Sequence, residues 1–168
     1  MTTNYDADVV IVGGGAGGGI AAAHLDTRGI TSIVVEQRPF MHPPNVKSNH
    51  ISSRTMERFR QLGLAQKVRS AGLPGDYPND ISFRTRMTGI EFGRIPIPSR
   101  DQRYTSKIGP DTSWATPEPA HRINQTFPEP VLLEHVAALP HVTVLNETLF
   151  HSFEQDGEGV TATISDLD

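Results

Sequence analysis

Residues 13–19 read Gly-Gly-Gly-Ala-Gly-Gly-Gly, six glycines in seven positions, between the β-branched run Val9-Val10-Ile11-Val12 and the alanine-rich segment Ile20-Ala-Ala-Ala-His-Leu25. The run has no polar alternation, which suits a parallel strand covered on both faces, and we expect it to be a central strand. Gly13, Gly15 and Gly18 hold the spacing G-x-G-x-x-G, and helix formers follow at nearly every position. The expected order is therefore strand, tight turn, helix.

Each glycine then has a physical task. Gly13 permits the turn, Gly15 lets a pyrophosphate approach the main chain, and Gly18 lets the helix pack closely on the strand. Ala16 and Gly17 would present N–H groups at the helix start, where the partial positive charge favours phosphate without any basic side chain. The spacing alone is a weak signal, since a flexible glycine-rich linker also matches it. Its context is stronger. Gly29 sits where a helix stop is expected, Thr31-Ser-Ile-Val-Val35 reads as a second strand, and Glu36 follows the glycines by about twenty residues. In a βαβ unit the two strands lie side by side and parallel, which puts Glu36 at the same sheet edge as Gly13. There a carboxylate can accept both hydroxyl protons of an adenosine ribose. The competing reading of Glu36 is a solvated strand-end acid. An acid at this position favours the unphosphorylated ribose of NAD or FAD over that of NADP, and the spacing does not choose between the first two.

Composition narrows the alternatives. The net charge of −4 and the lack of long basic runs leave no electrostatic footprint for nucleic acid. No apolar stretch approaches the roughly 20 residues needed to span a bilayer, and Met1–Asp6 lacks signal-peptide character, so no membrane partner and a cytoplasmic location are expected. With no cysteine, disulfides, thiol catalysis and cysteine metal sites are excluded. The seven histidines show no ligand spacing, and no metal site is expected.

Further along, residues 40–51 form a proline-rich loop, and Ser52-Ser53 can cap an amphipathic helix over residues 54–63 whose Met56, Phe59 and Leu62 point to the core. From Leu64 to Gly75 the chain is expected to wind down into a loop. Residues 81–87 and 90–95 alternate around Thr88-Gly89, a hairpin pattern with one wet face, and Arg84, Arg86 and Arg94 should point outward. No structure is expected over residues 96–120, where Tyr104 and Trp114 would pin a loop or line a cavity. Residues 127–139 read as a helix that tolerates Pro128 and Pro130 in its first turn, Val142–Leu145 as a third parallel strand, and residues 147–154 and 160–165 as a second hairpin.

Three stretches carry a resemblance: residues 8–18, Val35-Glu-Gln-Arg-Pro39, and above all His42-Pro-Pro-Asn-Val-Lys-Ser-Asn-His-Ile-Ser-Ser-Arg-Thr-Met-Glu-Arg-Phe-Arg-Gln-Leu-Gly-Leu64. Together they resemble the FAD-dependent aromatic hydroxylases, single-component flavoprotein monooxygenases of the phenol and p-hydroxybenzoate hydroxylase type. His121-Arg-Ile-Asn-Gln-Thr126 and the helix after it resemble that family's glutamine-bearing turn. The resemblance implies an α/β, Rossmann-like FAD-binding domain of three layers around a partly parallel sheet, with antiparallel hairpins. It further implies FAD as cofactor, NAD(P)H as co-substrate and a small aromatic substrate. Cofactor contacts carry over to Arg38, to Lys47, where arginine is frequent in the family, and to Gln125. They join Gly13, Gly15, Ala16, Gly17, Gly18 and Glu36.

The resemblance assigns residues 1–75 and 119–168 to the FAD-binding domain and residues 76–118 to part of a substrate-domain hairpin and loop. It matches only the N-terminal part of the family plan. The later Asp-Gly and Gly-Asp motifs and the last parallel strand of the cofactor domain do not occur in this sequence, so the fold is expected to be incomplete relative to the family. A chain of this length is not expected to hydroxylate alone, a complementary polypeptide could supply the other half, and no residue is named as catalytic. Two alternatives stay open: a non-catalytic FAD- or nucleotide-binding module, and an NAD-dependent dehydrogenase sharing only the glycine turn.

Overall fold

The computed structural model describes residues 5–45, 48–107 and 109–167. In chain order its elements are β1 (Val9–Val12), α1 (Ala16–Asp26), β2 (Ser32–Val35), β3 (His50–Ile51), α2 (Ser53–Gln61), α3 (Ala65–Ser70), β4 (Ile81–Arg84), β5 (Glu91–Ile95), β6 (His121–Arg122), α4 (Pro128–Ala137), β7 (Val142–Leu145), β8 (Thr148–Gln155) and β9 (Val160–Asp166). They fall into two compact units, Met1–Asn45 with Glu129–Asp168, and Val46–Pro128.

In the first unit β1, β2 and β7 form a parallel sheet in that order, with Val9 opposite Ser32 and Ser32 opposite Val142. The middle strand is β2, whose Val34 and Val35 are buried. This corrects the expectation for β1, which is an edge strand among the described residues with Val10 and Val12 exposed. An unbroken apolar run records that a strand is built to be covered; it does not say which neighbour covers it. Helix α1 presents Gly19, Ala22 and Ala23, all buried. A Cβ on Gly19 would lie 3.0 Å from the Leu132 side chain, so the small residue lets α4 approach α1 closely. On the other face Val10, Ile33, Val35 and Leu145 look across a cleft at Ala162 and Ile164 of the antiparallel β8–β9 hairpin. Helices, parallel sheet and hairpin are the three layers.

In the second unit β3 pairs antiparallel with β6. Helix α2 begins as its sequence dictates, with the Ser52 hydroxyl accepting from the Thr55 N–H at 3.2 Å. Met56 and Phe59 are buried, while Leu62 is only half-buried and Leu64 is the buried residue beyond it. The expected loop after Leu64 is in part a helix, α3, with Ala65 and Val68 buried. Six residues are too few to display a helical period, so the pattern did not betray it. The β4–β5 hairpin forms as expected, but both faces are wet: Ile81, Phe83 and Phe92 are exposed. Arg84 and Arg94 point outward into ion pairs with Glu91, and Arg94 also reaches Asp80. The described residues of 96–120 hold turns without strand or helix, and Tyr104 meets Trp114 edge to face with ring centroids 6.2 Å apart. No helix among the described residues is long and apolar enough to cross a membrane.

Candidate functional site

The glycine turn follows directly from the strand before it. At the end of β1 the Gly13 N–H donates to the Val35 carbonyl at 2.8 Å, and Gly13 takes φ +99°, a conformation that side chains strain. A Cβ on Gly18 would sit 2.0 Å from the Gly13 carbonyl oxygen, so the helix can lie this close to the turn only without one. Gly15 is the extended residue before α1, and Ala16 and Gly17 are the first two residues of the helix. No side chain caps that helix start and no acid stands in its first turn, which leaves its first N–H groups without a capping side chain.

Glu36 lies one residue beyond β2, at the strand end adjacent to the turn, as the βαβ reading requires. It is only 8% exposed, far from a solvated strand-end acid. Its Oε2 accepts from the Gly14 N–H at 2.7 Å and from Arg38 Nη2 at 3.3 Å. Its Oε1 accepts from the Arg38 backbone N–H and from Nε, both at 2.9 Å. Burial alone would raise the carboxyl pKa, but the bonds from Arg38 and Gly14 outweigh it and hold the pKa below the ordinary glutamate value. The backbone around the pair is anchored as well: the Arg38 carbonyl accepts from the Asn146 side chain at 3.0 Å, and the Glu36 carbonyl from the Thr148 N–H at 3.1 Å. A shallow cleft beside Glu36 is walled by Pro39, Phe40, Leu133, Val136 and Val144.

The structure thus brings Gly13, Gly15, Ala16, Gly17, Gly18, Glu36 and Arg38 together in one unit. Gln125 belongs to the other unit, in the turn between β6 and α4, where its N–H donates to the Ser48 carbonyl at 3.2 Å. Lys47 lies outside the described residues. The sequence reading passed over Glu129, which is 2% exposed in the first turn of α4, with its Oε1 3.6 Å from Arg38 Nη2. The only local signal was an acid at a helix start, which names no partner. No cluster of three potential metal ligands occurs among the described residues.

Residues 6–168 match the family described as FAD binding domain. The 2,4-dichlorophenol 6-monooxygenase of Cupriavidus pinatubonensis (strain JMP 134 / LMG 1197) is 29% identical over 99% of this chain and 27% of its own length. Aklavinone 12-hydroxylase DnrF of Streptomyces peucetius subsp. caesius is 33% identical over 98% of this chain and 32% of its own length. Among solved structures, the rebeccamycin biosynthetic enzyme RebC with reduced flavin superposes with a TM-score of 0.79 at 37% identity, over 96% of this chain and 29% of that one. The chain spans less than a third of the length of each of these proteins.

Proposed function

The chain belongs to the FAD binding domain family, and from that premise we propose that it is the FAD-binding portion of a flavin monooxygenase that hydroxylates an aromatic substrate with NAD(P)H and O2. One observation carries the reading: an uncapped helix start and a buried carboxylate stand at adjacent parallel strand ends, joined by the Gly14–Glu36 hydrogen bond. Relatives named for the oxygenation of dichlorophenol and aklavinone support the substrate class.

The residues present fit a flavin dinucleotide. Cβ positions built on Gly13 and Gly17 meet nothing within 4 Å, which leaves room for a phosphate against the main chain. In this reading Gly13, Gly15 and Gly18 shape the pyrophosphate turn, Ala16 and Gly17 offer it N–H groups, and Glu36 accepts from the ribose. Arg38, Lys47 and Gln125 complete the contacts, on the family pattern. Bound FAD supplies the redox chemistry with O2, while the chain's own part is to hold and orient it. Residues 1–75 and 119–168 serve this binding, and residues 76–118 contribute to the substrate side. The proposal includes a cytoplasmic setting, in keeping with the absence of cysteine.

Titration of the 168-residue chain with FAD, followed by flavin absorbance and fluorescence, tests the reading. Saturable binding is expected, and Glu36→Ala should weaken it about 10- to 100-fold through loss of charge-assisted hydrogen bonds. A folded chain that leaves the flavin signal unchanged would overturn it.

A further inference from the structure

We propose that Glu129 is a positioning residue that receives the Arg38 guanidinium when a ribose takes Glu36, so that Arg38 passes between two carboxylates as the site fills. The inference rests on the FAD-binding reading above and adds to it a step that this chain's own side chains perform.

The two oxygens of Glu36 accept four hydrogen bonds, from Gly14 N, Arg38 N, Arg38 Nε and Arg38 Nη2. A carboxylate offers about four lone-pair directions, so the acid that should bind the ribose is already saturated. Two incoming hydroxyls need two of those places. The donors on Gly14 and on the Arg38 main chain are fixed by the turn and by the exit from β2. The Arg38 side chain is the movable one: it is 31% exposed, and its Nη2 bond, at 3.3 Å, is the longest of the four.

A guanidinium cannot shed its charge, so it must move to another acceptor or to water. Glu129 is placed for that. Its Oε1 stands 3.6 Å from Arg38 Nη2, beyond a good hydrogen bond but within ion-pair range, and its side chain is 1% exposed. Its burial strengthens its attraction for the neighbouring guanidinium, and the first turn of α4 favours its negative charge. A rotation of the Arg38 side chain closes the gap to Glu129 while opening Glu36. Nη2 also lies 3.9 Å from where a Cβ on Gly15 would stand, so the guanidinium already borders the glycine turn.

A purely structural role for Glu129, as the acid that steadies the start of α4, makes a different prediction, and a double-mutant cycle separates the two. FAD is titrated into the full chain carrying Glu129→Met, Arg38→Gln, both, or neither, and the thermal midpoint of each is recorded without FAD. Removing Glu129 should weaken FAD binding about 10-fold while Arg38 is present, because the arginine then stays on Glu36 and competes with the ribose. In the Arg38→Gln background the same change should cost less than about 2-fold. Equal weakening in both backgrounds, or none in either, overturns the inference. Should Glu129→Met fail to fold, Glu129→Gln, which keeps an acceptor but no charge, is read in the same cycle with a smaller effect of the same pattern. A wild-type chain that binds no FAD overturns the FAD-binding reading itself, and that outcome is distinct from wild-type binding without coupling.

Discussion

The β1–β2–β7 sheet and the β4–β5 hairpin both carry large apolar side chains, and those side chains end in opposite surroundings. Val34 in the first is 1% exposed, while Phe92 in the second is 71% exposed. The difference lies in what packs against them. The parallel sheet is covered by α1 and α4, which come close because Gly19, Ala22 and Ala23 are small. The hairpin carries the exposed Arg84–Glu91–Arg94–Asp80 network on one face, and its other face, with Ile81, Phe83 and Ile95, also stays exposed among the described residues. A strand pattern therefore states a demand for cover, and only a second element meets it. The outer edge of β1, with Val10 and Val12 exposed, makes the same demand inside the otherwise covered unit.

The largest effect that could break this contrast sits at the turn. Gly18→Ala places a Cβ 2.0 Å from a backbone oxygen that cannot rotate away, whereas Gly17→Ala meets nothing within 4 Å. The first should destabilise the chain by at least about 3 kcal/mol, because helix and turn must separate. The second should be neutral or stabilising by up to about 1 kcal/mol, as alanine is the better helix former. Urea denaturation of the two variants measures both. Similar small effects would mean that the covered unit is slack at its centre, and the contrast with the hairpin would fail.

Next in size is a direct comparison of the two regions. Leu132 is fully buried in α4 against Gly19, so Leu132→Ala should cost about 3 kcal/mol. Phe92→Ala removes a larger side chain that is mostly in water, and should stay within about 0.5 kcal/mol. A loss above about 1.5 kcal/mol at Phe92 would show that the hairpin face is covered in solution, for instance by another copy of the chain.

What was legible in the sequence divides along the same line. The turn, α1, β2 and the place of Glu36 follow from local spacing, because each is fixed by a few residues acting on their neighbours. Ser52 as a cap and Gly29 as a stop, at φ +68°, belong to the same class. The edge position of β1 and the wetness of both hairpin faces depend on distant partners, which periodicity does not name. Helix α3 escaped because it is short, and its Arg69 is buried, bonded to Glu118 at 2.7 Å, so its inward face does not read as apolar. Within the site, Glu36 came from spacing and Arg38 from resemblance. The link from Arg38 to Glu129 joins the exit of β2 to the start of α4, and nothing in either stretch announces the other.

The smallest expected effect sharpens the contrast between the two units through pH. The first unit buries the carboxylates of Glu36 and Glu129 beside Val34, Val35, Leu132 and Val136, while the second encloses the bases Arg69, Arg103 and His121 beside its apolar residues. Burial, reinforced by the charges of Arg69, Arg100 and Arg103, pushes the His121 pKa down from 6.5 to about 4. An unfolded chain binds that proton near pH 6.5, whereas the folded chain resists until about pH 4. Stability from keeping His121 neutral is therefore fully present above pH 6.5 and is lost as the pH falls from there towards 4, by roughly 3 kcal/mol. Carboxylates throughout the chain also gain protons in acid, so the comparison must be with a variant that has no imidazole. His121→Gln should flatten the fall in thermal midpoint between pH 6.5 and pH 4 relative to the parent chain. Parallel curves would mean that His121 takes up its proton in the folded chain as readily as in the unfolded one. The second unit would then admit water where the structure encloses a neutral ring, and the two units would differ in pattern but not in dryness.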